Sequence, residues 1–384
     1  MPRDTFLIFG APDIESDEIT EVIDCLETGW LSTGPKVTRF ERDFATYKGT
    51  DQAAAVSSCT AALHLSLLAA GIGPGDEVIT TAMTFCATVN AIIHAGGTPV
   101  LVDADPETMN IDPVAVEAAI TDKTRAILPV HFAGRVCDMD PLMMIAKEHD
   151  LKVIEDCAHA IEGEYRGRKA GTFGDYGCFS FYVTKNVATG EGGMVLARNP
   201  ASLDKVRIMA IHGMSGNAWK RYSDTGFKHY QVVTDGYKYN MMDIQAALGI
   251  HQLARVEKNW LRRQQIWEIY NQAFADLPIT LPAPVPGDQR HAYHLYTILI
   301  DEEQAGISRD QFLDEMTAAK IGVGVHYMSI PEHPFYQQQY GWHPEMFPVA
   351  MEIGRQTVSL PLSARLTDKD VTDVIDSVHR ILDR

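Results

Sequence analysis

The sequence predicts an α/β protein built from a large, mostly parallel sheet domain and a smaller C-terminal α/β domain. Three observations carry this. Strand-like apolar runs alternate with helical segments through the first half of the chain. One such run, LKVIED, is apolar enough for a sheet interior yet ends on an acid, Asp156. A Pro-rich break, LPAPVPG, follows a long helical stretch and precedes a second, shorter strand–helix–strand set. The expected division places residues 1–251, N-terminal segment included, in the large domain and 252–384 in the small one.

The elements follow in order. DIESDEITEVIDCLETG has acids near its start, apolar residues at helical spacing and a closing Gly29, the pattern of a capped amphipathic helix. AAAV reads as a short strand that gives way to a helix over TAALHLSLLAAG. GPGDEVITT supplies a turn and a buried strand. ATVNAIIHAGG is helical, TPVLVDAD a strand, PVAVEAAI a helix, TRAILPVHFAG a strand, MDPLMMIAKEHD a helix and LKVIED a strand. Helices between successive strands imply parallel pairing in a doubly wound layer. One long helix is expected over MDIQAALGIHQLARVEKNWLRRQQIWEIYNQAFADL, and the chain closes on the helix VTDVIDSVHRIL.

Composition narrows the function. A chain of 384 residues buries a large core, and a formal charge of −18 argues against an electrostatic nucleic-acid surface. The six cysteines show no CxxC pair, as expected of reduced core cysteines and not of a disulfide or zinc framework. FLIF is too short for a signal peptide or a membrane span, so a cytoplasmic protein is expected. The histidines show no HExxH spacing and GxSxG is absent, which argues against a metal site and a hydrolase elbow. GIGPGDEV follows a helix and precedes a strand, the reverse of a dinucleotide loop, and reads as a turn.

The chemistry centres on Lys185, in FSFYVTKN, upstream of a glycine-rich TGEGGMV. An acid at a strand end followed by a Ser/Thr-rich lysine loop is the order in which a pyridoxal-phosphate site presents its Schiff-base lysine and the carboxylate for its pyridine nitrogen. The SSCTAAL segment puts Cys59 and Thr60 at a helix start, where backbone N–H groups and the helix dipole suit a phosphate. A simple helix cap at Ser58 or Thr60 is the competing reading. Phe85, just past a strand end, is placed to stack on a pyridine ring, with a core aromatic as the alternative.

With these motifs in place, the chain resembles the DegT/DnrJ/EryC1/StrS group of pyridoxal-phosphate-dependent nucleotide-sugar aminotransferases. The resemblance runs through GWLSTGPKVTRFE, SSCTAALHLSL, GDEVITTAMTFCATVNAI, VIEDCAHAIEGEYRGRKAGTFGD, the lysine loop, GYKYNMMDIQAALG, HLYTILID and GVGVHY. It implies the type I, aspartate-aminotransferase-like fold and pyridoxal 5'-phosphate as cofactor. It implies Lys185 as the internal aldimine, Asp156 on the pyridine nitrogen, His159 near the phenolic oxygen and Phe85 stacked on the ring. Ser180 and the Cys59–Thr60 backbone resemble the phosphate contacts. Many members read GYNYRM where this chain has GYKYNM, so either Lys238 or Asn240 reaches the neighbouring subunit's phosphate in an implied homodimer with shared sites.

The implied reaction moves the amino group of L-glutamate, leaving 2-oxoglutarate, to the C4 ketone of a nucleotide sugar in a ping-pong cycle. The wording is most similar to the branch that makes UDP-4-amino-4-deoxy-L-arabinose, and other keto sugars or cyclitols of the group remain alternatives. Relatives that are sugar dehydratases replace the lysine with histidine, and Lys185 is present here. A pyridoxal-phosphate-binding regulator without turnover is the other alternative. For the substrate, Lys220, Arg221 and Lys228 in AWKRYSDTGFKHY gather cations suited to a diphosphate, with a solvated basic loop as the competing reading. His326 resembles the family histidine that faces the sugar, with a structural histidine as the alternative.

Overall fold

The computed structural model describes residues 3–215 and 230–383. Two helices open the chain, α1 (Ser16–Thr28) and α2 (Pro35–Lys48). Alternation then begins with β1 (Ala54–Val56), α3 (Cys59–Ala69), β2 (Glu77–Thr81), α4 (Cys86–His94) and β3 (Thr98–Val102). It continues through α5 (Pro113–Ala118), β4 (Thr124–Leu128), α6 (Met139–Glu148) and β5 (Lys152–Asp156). A small hairpin, β6 (Glu164–Tyr165) and β7 (Arg168–Lys169), leads to β8 (Tyr176–Ser180), β9 (Gly193–Ala197) and α7 (Pro200–Met209). Then come α8 (Asp243–Ala254), α9 (Val256–Ala273), β10 (Gln289–Arg290), β11 (Tyr296–Leu299), α10 (Glu302–Ala305) and α11 (Arg309–Ala318). The chain ends with α12 (Pro334–Tyr340), α13 (Pro348–Gln356), β12 (Thr357–Leu360) and α14 (Asp368–Leu382). No helix among the described residues is long and apolar enough to cross a membrane.

The large sheet runs β1-β9-β8-β5-β4-β2-β3. Its inner pairs are parallel, and β9 alone runs against its neighbours β1 and β8. Alternate residues of each strand feed opposite faces. Ile79, Ile127 and Val153 join one core with α2, α6 and α8, while Val78, Ala126 and Ile154 join another with α3 and α7. The expected doubly wound layer is therefore present, and it lifts the carboxyl ends of β2, β4 and β5 to a common edge.

The expected single long helix is two. Ile250, Leu253 and Val256 pack in the large-sheet core, whereas Ile266, Trp267 and Tyr270 pack in a separate core with β11, β12 and α14. The chain changes cores at Arg255, which leaves helical geometry (φ −102°, ψ 2°) while its guanidinium pairs with the buried Glu18 of α1. We propose that the two units meet at this junction. Near the N-terminus, Leu7 pairs with Lys320 and Gly322 through backbone hydrogen bonds of 2.9 and 2.8 Å. A further apolar cluster, including Met83, Leu101 and Phe132 with Leu295, Ile330 and Trp342, draws on both units beside the sheet's carboxyl edge.

Candidate active site

Asp156 is the last residue of β5, where the carboxyl edge of the sheet faces the start of α3. It is 5% exposed. Its Oδ2 accepts from the Thr88 hydroxyl at 2.8 Å, and its Oδ1 accepts from the Ala158 N–H at 3.1 Å. The Cys59 thiol lies 3.8 Å from Oδ1. Burial pushes the Asp156 carboxyl up from its ordinary value, against those hydrogen bonds. A cation facing it would restore the carboxylate, and a protonated pyridine nitrogen is such a cation.

Lys185 lies in the turn between β8 and β9, half-buried, with its N–H bonded to the Tyr182 carbonyl at 2.8 Å. Burial pushes its amine down to about 8, with the Asp156 carboxylate pulling the other way. An uncharged amine at mildly alkaline pH is what attack on an aldehyde requires. The Lys185 Nζ lies 3.5 Å from His294 Nε2.

The helix start is built as the sequence indicates. Ser58 caps α3, its hydroxyl accepting from the Ala61 N–H at 3.1 Å. The amides of Cys59 and Thr60 precede the first intrahelical bond, so they point outward from the positive end of the dipole. Capping by Ser58 and an anion site at the next two amides are thus compatible. Gly193, in the glycine-rich stretch after the lysine, opens β9 against this corner. A Cβ there would sit 2.4 Å from the Ser58 carbonyl, so only glycine lets β9 reach the helix start. Ser180 ends β8 and is buried, its Oγ accepting from the Tyr182 N–H at 3.3 Å.

His159 is buried and receives the Ala133 N–H on Nδ1 at 3.2 Å, while Nε2 meets the Tyr327 hydroxyl at 2.9 Å. Because Nδ1 accepts, the neutral ring carries its proton on Nε2 and donates toward Tyr327. Burial, with the nearby Lys185, holds this histidine well below its ordinary value. Phe85 is 53% exposed at the start of α4, its ring 5.5 Å from that of Tyr327, so it is not a core aromatic. His326 bonds Ser359 through Nδ1 at 2.9 Å, stacks on Phe9, and is pushed down to about 4 by burial and by Lys185.

Lys238 and Asn240 stand apart from this cluster and engage each other. The Lys238 Nζ donates to Asn240 Oδ1 at 2.6 Å, and Asn240 Nδ2 donates to Thr33 at 2.8 Å. Their segment borders the same corner, since Ser57 N–H bonds the Tyr239 carbonyl at 2.7 Å. Lys220, Arg221 and Lys228 lie outside the described residues. The chain on either side of them is paired, Ser215 N–H to the Gln231 carbonyl at 2.8 Å.

Thr88, Tyr327 and His294 join the cluster without having been singled out from the sequence. Thr88 falls three residues after Phe85, one helical turn, which was the available signal. Tyr327 follows His326 in GVGVHY, and His294 opens HLYTILID, but nothing local in either word aims a ring at a lysine far away in the chain.

Comparison with known proteins places this geometry. The model of the DegT/DnrJ/EryC1/StrS aminotransferase family matches residues 12–379. The spore coat polysaccharide biosynthesis protein SpsC of Bacillus subtilis is 49% identical over 384 residues, covering 99% of this chain and 98% of that protein. Spr1654 from Streptococcus pneumoniae, solved in a PLP form, superposes with a TM-score of 0.90 at 34% identity, over 98% of this chain and 99% of that one. PseC of Helicobacter pylori, an aminotransferase involved in the biosynthesis of pseudoaminic acid, gives a TM-score of 0.90 at 27% identity, over 99% and 100%. A buried carboxylate that asks for a cation, an amine near neutrality and outward amides at a helix start fit pyridoxal phosphate, and the chain belongs to the DegT/DnrJ/EryC1/StrS family as a pyridoxal-phosphate-dependent sugar aminotransferase.

Proposed function

We propose that this enzyme transfers the amino group of L-glutamate to the C4 ketone of a nucleotide-linked sugar, with UDP as the nucleotide, in a ping-pong cycle. The observation that carries the proposal is the buried Asp156 carboxylate meeting the start of α3, its Oδ1 3.8 Å from the Cys59 thiol, on the strand next to β8, which leads into the Lys185 turn. Relatives named for a spore coat polysaccharide and for pseudoaminic acid support a sugar destined for a larger glycan.

When bound, pyridoxal phosphate supplies a ring that takes up electrons from the carbon losing a proton. Asp156 presents its carboxylate to the ring nitrogen, and Phe85 and His159 bound the ring. Cys59, Thr60 and Ser180 hold the phosphate, with Lys238 or Asn240 serving the partner's site. The Lys185 Nζ takes a proton from the donor and returns it, which its lowered pKa allows near pH 8. His326, uncharged and beside Lys185, faces the sugar, and Arg221 with Lys220 meets the diphosphate. A homodimer is supported by an apolar stripe left open on α1: Ile19, Ile23 and Leu26, continued by Trp30 and Leu31, are all exposed.

The test is to load the enzyme with pyridoxamine phosphate and offer single nucleotide-linked 4-keto sugars. Return of the aldehyde absorbance with a UDP-linked ketone is expected. A response to 2-oxoglutarate but to no UDP-linked 4-keto sugar would overturn the substrate assignment.

A further inference from the structure

Behind Lys185 runs a chain of buried and partly buried polar side chains that the roles above leave unused. Arg263 of α9 pairs with Oε1 of Glu162, and both side chains are buried. The other oxygen of Glu162 accepts from Asn186 Nδ2 at 2.8 Å, and the same nitrogen donates to the Ala292 carbonyl at 2.9 Å. Both partners only accept, so the orientation of the Asn186 amide is fixed and its Oδ1 must face His294 Nδ1, 3.0 Å away. The His294 Nδ1 therefore carries the ring proton. Neutral imidazole has one such proton, which leaves a lone pair on Nε2, the atom that faces Lys185 Nζ.

We infer that His294 is a positioning residue for Lys185: its Nε2 accepts an N–H of the lysine and so turns the lysine's lone pair toward the proton it moves, while Asn186, Glu162 and Arg263 fix the tautomer that makes this possible. The inference rests on the reading of Lys185 as the proton-moving amine. A lysine side chain is long and its amine rotates freely, so without a fixed acceptor the lone pair samples every direction. The contact, at 3.5 Å, is the longest link, as catalytic hydrogen bonds often are before substrate binds. The backbone braces the ring as well, because the Ala133 carbonyl accepts the His294 N–H at 3.2 Å while the Ala133 N–H holds His159. The titratable and charged groups near His294 are Lys185, His159, His326, Arg263 and His291, all basic, with Glu162 one residue removed through Asn186. Burial and these bases hold His294 well below its ordinary value, in the neutral form the geometry needs.

The experiment compares His294→Leu, which fills the space without an acceptor, with His294→Gln, which keeps one. Three quantities are read: borohydride attachment of the cofactor to Lys185, the single-turnover rate of the glutamate half-reaction, and the pH dependence with which apoenzyme condenses with pyridoxal phosphate. The Leu variant is expected to attach the cofactor at Lys185 yet lose on the order of 10²-fold in single-turnover rate, with the KM for glutamate little changed. Its condensation profile moves to lower pH, since the lysine ammonium has lost an acceptor. The Gln variant recovers most of the rate. A Leu variant with unchanged rate and profile overturns the inference. So does a Gln variant as slow as Leu with the profile unmoved, which is the signature of packing alone. Absence of attachment in the unsubstituted enzyme overturns the Lys185 reading and this inference together, whereas the other failures leave that reading standing.

Discussion

Asp156 and Lys185 carry opposite burdens of the same burial. The carboxyl is pushed up and the amine down, so each is held nearer neutrality than in water. For Asp156 in the cofactor-free protein, a folded pKa above the unfolded one means that stability falls as pH rises through that window. Asp156→Asn removes the charge and keeps the volume, so the apoenzyme variant should melt no lower than the parent at neutral pH. Its glutamate half-reaction should slow by on the order of 10²-fold or more, because the ring nitrogen loses its counter-charge. Calorimetry alongside single-turnover absorbance checks both, and equal rates would remove Asp156 from the chemistry. For Lys185, condensation of apoenzyme with pyridoxal phosphate needs the neutral amine. Its rate should climb with pH and level off near 8, where an unburied lysine would go on climbing toward 10.5. Stopped-flow absorbance across that range decides between them. Both residues were legible in the sequence because each sits in a local word, an acid closing an apolar strand and a lysine before a glycine run.

At the scale of elements, the corner where α3, β8 and β9 meet depends on two kinds of local chemistry. Glycine at 193 lets β9 touch the helix start, and Gly193→Ala should push the two apart. The expected result is weaker cofactor retention on dialysis while the glutamate KM of the fully loaded enzyme stays close to the parent's. Beneath the corner, the buried Glu155 accepts the backbone N–H groups of Gly171, Phe173 and Gly174, each at 2.7 Å, and contacts His131 at 3.0 Å. Glu155→Ala strands those donors, and a loss of roughly 3–5 kcal/mol in urea unfolding is expected. The helix–strand alternation was readable because its periods are local. The break between α8 and α9 was not, because no proline or glycine marks Arg255. The chain turns there to serve two cores, a demand visible only once both are assembled. The contacts of Thr88 with Asp156, 68 positions apart, and of His294 with Lys185, 109 apart, escaped for the same reason.

At the scale of the whole molecule, a mostly parallel sheet carries the anion corner and the buried acid at its edge. His294 and Tyr327, from the C-terminal part of the chain, contact Lys185 and His159 there, and His326 adjoins Tyr327. We propose that the open apolar stripe on α1 and the outlying Lys238–Asn240 pair meet a second copy. Mixing Lys185→Ala protein with a Lys238→Ala, Asn240→Ala double variant should restore part of the activity that each lacks alone. A fully active monomer by light scattering would refute shared sites. We propose that this assembly holds pyridoxal phosphate on Lys185. Borohydride reduction of the purified protein, followed by peptide mapping, tests it most directly. A single pyridoxyl label on the peptide containing Lys185, absent in Lys185→Ala, is the expected result. A label on another lysine, or a Lys185→Ala protein that keeps both label and turnover, would contradict it.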